Sequence, residues 1–236
     1  MLEELTLLLQ ATPNHCSREG CFAAVIEDNV LNKPTVATRR LTVQRLSELY
    51  ALDENMTLFR VLRHFWGNEN QSRPLLALLC ALARDPLLRF TTDPVLALRA
   101  GEELSRQRLT DVLRSNTEDR FNDATLDQII RNTSASWTQS GHLQGRNRKI
   151  RQVVRPTPIA TAYALLLGYL QGLRGNRLFE TLWTRVLDAT KPELLQQAAD
   201  AKRLGALDMK QAGDVIEVSF STVLTPQEIK DSRVPS

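Results

Sequence analysis

The sequence predicts a mainly α-helical protein: a helical N-terminal domain followed by one or two winged helix-turn-helix units, each ending in a short β-hairpin. Three observations predict it. Asp93-Pro94, Thr157-Pro158 and Thr225-Pro226 each place a capping side chain directly before a proline, which suits the first turn of a helix. Thr125 with Gln128, Thr190 with Glu193 and Thr225 with Glu228 have capping-box spacing, so helices are expected to start near positions 94, 126, 158, 191 and 226. Finally, a helical pattern gives way twice to a stretch that suits a hairpin, first after Gly141 and again after Gly205.

The first of these units should span residues 1–92. Val36–Tyr50 carries Val36, Val43, Leu46 and Leu49 near helical spacing, and Leu58–Trp66 follows. Leu75–Arg84 is apolar on nearly every face, so it should run through the core until Asp85-Pro86 stops it. The segment 93–156 reads as a long helix over 94–113, a helix at Leu126–Arg131, a turn at Asn132-Thr133, a short helix SASWTQSG and a hairpin with Gly145-Arg146-Asn147 in its turn. The segment 157–222 repeats that order. Helices are expected at Pro158–Leu173, Leu178–Leu187 and Lys191 to about Leu204, then two strands around Gln211-Ala212-Gly213-Asp214, with Ile216, Val218 and Phe220 on one face. Residues 223–236 are expected to form a C-terminal tail with one short helix.

Composition narrows the function. With 236 residues the chain can bury a substantial core, and 42% hydrophobic with 24% charged residues is ordinary for a globular protein. No apolar run approaches the ~20 residues of a membrane span. The opening MLEELTLLLQ carries acid where a signal peptide would carry base, so a cytoplasmic location is expected. Three cysteines give no disulfide framework, and His15 with Cys16 and Cys21 lacks the spacing and second ligand pair of a zinc site. Neither a metal nor another cofactor is therefore expected. The phosphate-binding, metalloprotease and serine-hydrolase motifs are absent, and three histidines are few for acid–base chemistry, so no enzymatic role is expected.

Charge is distributed unevenly. The chain is only +3 overall, yet residues 142–185 hold eight basic residues against the single acid Glu180. A local basic stretch on a near-neutral protein is the footprint of a polyanion site. In the first winged unit, Ser134, Ser136, Thr138 and Gln139 would face DNA from the third helix. Arg146, Arg148, Lys149 and Arg151 would project from the wing. In the second unit Gln197 stands on the third helix, while the wing, with Asp208, Lys210, Asp214 and Glu217, is nearly neutral. Arg174 and Arg177 flank a Gly-Asn turn, where they could meet phosphate or cap the preceding helix. Trp66, Trp137 and Trp183 read as core anchors. The expected partner is double-stranded DNA.

With those residues in place, the chain resembles the BrxA family of bacterial BREX phage-defence systems. The resemblance lies in NVLNKPTVATRRLTVQRLSELY (Asn29–Tyr50), LLALLCALARDPLLRFTTDPVL (Leu75–Leu96) and AADAKRLGALDMKQAGDVIEVSF, which ends at Phe220. It implies an N-terminal part similar to the antitermination factor NusB, DNA binding, and a non-enzymatic role beside other proteins of a defence system. Two alternatives stand beside it: an interaction scaffold within a defence complex, and an RNA-binding protein of NusB type. Aromatics make up only 6% of the chain, which disfavours RNA, because single-strand recognition relies on stacking.

Overall fold

The computed structural model describes residues 1–232. Seven helices build the N-terminal part: α1 (Leu2–Ala11), α2 (Arg18–Ile26), α3 (Val36–Tyr50), α4 (Thr57–Trp66), α5 (Arg73–Arg84), α6 (Pro86–Phe90) and α7 (Thr92–Leu96). The first winged unit adds α8 (Arg106–Thr117), α9 (Asp123–Gln139), β1 (Leu143–Gln144) and β2 (Ile150–Arg151). The second adds α10 (Pro158–Leu170), a 3-10 turn at Gly175–Glu180, α11 (Leu182–Arg185), α12 (Lys191–Arg203), β3 (Asp208–Ala212) and β4 (Val215–Ser219), and α13 (Pro226–Asp231) closes the described chain. The fold is thus mainly helical with two small antiparallel hairpins, as the sequence predicts. Among the described residues no helix is long and apolar enough to cross a membrane.

Two helices make the centre. In α5, Leu75 through Leu82 are all buried, and in α10 every residue from Ile159 to Tyr169 is buried. Helices that are apolar all round must be enclosed on all sides. Accordingly α10 packs on α4, α5, α11 and α12, and α5 also meets α3, α4, α6 and α9. One continuous core results, from Leu5 in α1 to Leu224 beyond β4. Trp66, Trp137 and Trp183 all lie in it, as expected of core anchors. Trp137 adds a buried hydrogen bond, its Nε1–H donating to Thr91 Oγ1 at 2.7 Å.

Local capping fixes where the helices begin. Thr157 caps α10 by accepting from the Ala160 N–H, and Thr225 with Glu228 forms a capping box on α13. Two expectations need correction. Asp93-Pro94 does not open a long helix over 94–113: Pro94 lies inside the five-residue α7, and α8 starts afresh at Arg106 behind its cap Ser105. Nor does Asn132-Thr133 break the next helix. Helix α9 runs unbroken for 17 residues, because the buried Thr133 hydroxyl turns back onto the Ile129 carbonyl instead of interrupting the backbone ladder. In the second unit, the expected helix 178–187 is a 3-10 turn followed by the single-turn α11.

Candidate nucleic-acid interface

The first unit closes as a winged helix through a strand-like segment the sequence hides. Residues 101–104 lie against β2: Leu104 N–H donates to Lys149 O at 2.7 Å, Arg151 N–H to Glu102 O at 2.8 Å, and Gly101 N–H to Arg151 O at 2.9 Å. Leu143 pairs with Arg151 and Gln144 with Ile150 across the hairpin. The order is therefore short strand, α8, turn, α9 and a two-stranded wing. In such a unit the helix after the turn is the one that enters a major groove. That helix is α9 as a whole, capped by Asn122, whose side chain accepts from the Thr125 N–H at 2.9 Å.

Several expected contacts are redirected by this geometry. Ser134 is buried at 8% exposure, so it cannot meet a ligand. Ser136 and Thr138 return their hydroxyls to the Asn132 and Ser134 carbonyls. Gln139 holds the chain start, its Oε1 accepting from the Met1 amine and the Leu2 N–H at 3.1 Å each. On the wing, Arg151 is not a projecting cation: its side chain is 3% exposed and paired with Asp188. Lys149 donates back to Gly145 O at 2.7 Å and to Thr138 Oγ1 at 3.1 Å. Arg148 stays exposed but pairs with Glu103 at 2.7 Å. Arg146, at the wing tip, is exposed and has no ion pair or hydrogen bond among the described residues.

No protein-family model matches the chain, nor does any curated protein or solved structure.

A face absent from the sequence expectation lies on α9. Thr125, Gln128, Arg131 and Asn132 are exposed, while Leu126, Ile130, Thr133, Ser134 and Trp137 are buried on the opposite side. Gln128 Nε2 donates to Asn132 Oδ1 at 2.8 Å, and Arg131 donates to Gln128 Oε1 at 2.9 Å. Three long side chains are thus held together before any ligand arrives. Amides and guanidinium groups are the donors and acceptors that read base edges. The acids on this helix are neutralised locally: Asp123 pairs with Arg114 at 2.6 Å, and Asp127 pairs with Arg106, which lowers the Asp127 carboxyl. The sequence signal for this face was the exposed spacing 125, 128, 132. It became readable only once α9 was known to be continuous.

The second unit differs. Three polar side chains of its third helix, α12, are taken up by nearby groups: Lys191 pairs with Glu180 of the preceding 3-10 turn at 3.0 Å, Arg203 pairs with Asp200, and Gln196 donates to Asp200 Oδ1 at 3.1 Å. Gln197 is half-buried, its Oε1 enclosed and without a partner among the described residues, so it does not present to a groove. Arg174 closes the end of α10. It donates to Tyr169 O at 2.7 Å and Leu173 O at 2.6 Å, and its guanidinium lies 3.6 Å from the Tyr169 ring centroid. Of the two sequence candidates there, Arg177 alone is exposed.

Polar ties lock the two units together. Buried His142, at the start of the first hairpin, places Nε2 2.7 Å from Val186 O and Nδ1 2.8 Å from Ser140 Oγ. Desolvation holds its imidazole down at about 4, so it is neutral. Asp188 accepts from Arg151 on one oxygen and from the Val154 N–H at 3.0 Å on the other. A third tie runs from the second unit to the N-terminal part, where Arg185 reaches Asp93 of α7 at 2.8 Å on the surface.

Proposed function

We propose that the chain is a non-enzymatic accessory protein that binds double-stranded DNA through its first winged-helix unit. The observation that carries this reading is the exposed polar face of α9, on which Gln128, Arg131 and Asn132 are pre-arranged, in a unit whose wing tip carries Arg146, without a partner among the described residues. The α9 face would lie in the major groove, and Arg146 with Arg148 would meet phosphate alongside it. Glu103 must release Arg148 for that contact, at small cost for an exposed pair. A place in a bacterial phage-defence system follows from the resemblance to the BrxA family.

The test is titration of a labelled duplex of about thirty base pairs at several salt concentrations. Each phosphate contact releases counterions, so log affinity should fall with log salt at a slope near −0.9 per contact. Absence of binding at low salt would sink the proposal. A second reading, docking on a partner protein of a defence complex, is favoured by one observation. The second unit has a near-neutral wing on which Val215 is 71% exposed, with Leu204 at the end of α12 59% exposed. Co-purification of a stable partner without duplex binding would support it.

A further inference from the structure

A cleft lies where α4, the loop between α1 and α2, and the stretch after β4 meet. Asn14, His15, Glu54, Arg60, Arg63 and His64 line it. Arg63 is the unusual member. It is 6% exposed, and all its hydrogen bonds go to neutral acceptors: Thr12 Oγ1 at 3.1 Å, Leu9 O at 3.3 Å and Thr12 O. Its Nε is buried with no partner among the described residues. The carbonyls it caps belong to the C-terminal end of α1, which offers a fraction of a negative charge and not a full one. A buried guanidinium without a carboxylate carries an electrostatic deficit, and desolvation lowers its pKa. Arg60, by contrast, is already neutralised by a bidentate contact with Glu228 at 2.6 and 2.7 Å.

The other groups favour an anion over a cation. His15 and His64 are exposed imidazoles with N–H donors, and Asn14 contributes an exposed amide. Glu54 is the one acid on the wall, 3.9 Å from His15 Nδ1. Among the described residues no group of three His, Cys, Asp or Glu side chains could hold a metal ion. Several donors of different kinds around one uncompensated guanidinium suit a tetrahedral oxyanion, which accepts from many directions at once.

We propose that this cleft binds a phosphate group carried by a small molecule, with Arg63 supplying the buried charge and Asn14, His15 and His64 supplying donors at the rim. The cleft shares no lining residue with the α9 face or the first wing, and this proposal does not rest on the proposed DNA binding. The probe is inorganic phosphate, added to the full chain against sodium chloride of equal ionic strength. Thermal unfolding should shift upward with phosphate and saturate, because a ligand that binds only the folded state stabilises it by mass action. His64→Ala and Asn14→Ala, both at exposed positions, should each weaken the apparent phosphate affinity about tenfold, equivalent to one lost contact of about 1.4 kcal/mol. Arg63→Lys should abolish the shift; should that variant fold poorly, the two rim variants still decide. Phosphate no more stabilising than chloride, or titrations unchanged in both rim variants, would overturn the proposal. Duplex affinity in His64→Ala should equal that of the parent. A loss there would assign the phosphate to a nucleic-acid backbone and refute the small-molecule source.

Discussion

Replacing Asp188 with Asn removes one charge from a buried pair while leaving the backbone at ease. Asp188 has φ +52°, a left-handed conformation that Asn tolerates better than most residues. The carboxylate is 11% exposed and its partner Arg151 3% exposed, so water cannot take over the lost role. Asp188 also accepts from two donors, the Arg151 guanidinium and the Val154 N–H. An amide can offer an oxygen to one of them only, and its NH2 then faces the other. Breaking a buried pair by removing one partner costs about 3–5 kcal/mol. For a chain of this size each kcal/mol moves the midpoint by roughly 2–4 °C, so D188N should melt at least about 6 °C lower. Differential scanning calorimetry measures this, with urea unfolding as a second probe. The double variant R151M/D188N should be no less stable than D188N, because the stranded cation is gone. A loss below about 1 kcal/mol in D188N, the range of an exposed pair, would refute the reasoning. So would a change in the salt slope of duplex binding in R151M, since a guanidinium enclosed in this way cannot reach a phosphate.

Acid should destabilise the protein in two stages. His142 is held near 4 by desolvation, against 6.5 for a free imidazole, so its contribution is present above 6.5 and is lost as pH falls from 6.5 to about 4. That is on the order of 3 kcal/mol, and H142Q should flatten this part of a stability–pH curve. Burial raises the Glu228 carboxyl, but hydrogen bonds from Thr57, the Thr225 backbone and Arg60 outweigh it and hold the group at about 2, so its share is lost between about 4.5 and 2. Arg146→Ala should lower the salt slope of duplex binding by about 1 with no change in melting temperature, whereas Gln128→Ala should weaken binding by about 1–3 kcal/mol on the preferred sequence and less on others. Gly145→Ala should deform the wing, because the backbone has φ +104° and a Cβ would stand 2.1 Å from the Arg148 carbonyl oxygen. Duplex affinity should fall, and amide exchange at 145–149 should quicken.

What the sequence disclosed, and what it withheld, follows from the range of the forces involved. The starts of α10, α12 and α13 were legible because a capping side chain and a proline act within one turn. The second hairpin was legible because Ile216, Val218 and Phe220 alternate into the core. The break expected at Asn132-Thr133 was a local propensity overridden by tertiary packing around Trp137. The short strand at Glu102-Glu103-Leu104 reads as a charged loop until its pairing to β2 is seen. Arg151 looked like a wing cation because its partner, Asp188, lies 37 residues away. Basic residues counted along the chain therefore overstated the wing, while the polar face of α9 went unmarked.

The first hairpin is divided into a part that can vary and a part that cannot. From Gly145 to Arg148 its residues are exposed, and the strand backbone does not depend on the side chains at 146 and 147. Two residues beyond Lys149, Arg151 is shared between hairpin and second unit, and His142 ties the other strand to the same place. A library built to change what the wing touches should therefore randomise Arg146, Asn147 and Arg148 and keep Gly145. A wing exchanged from a related protein should be joined after Gln144 and before Lys149. A wider graft would bring in a strand with no match for Asp188 and would strand a buried carboxylate at the seam between the hairpin and the second unit.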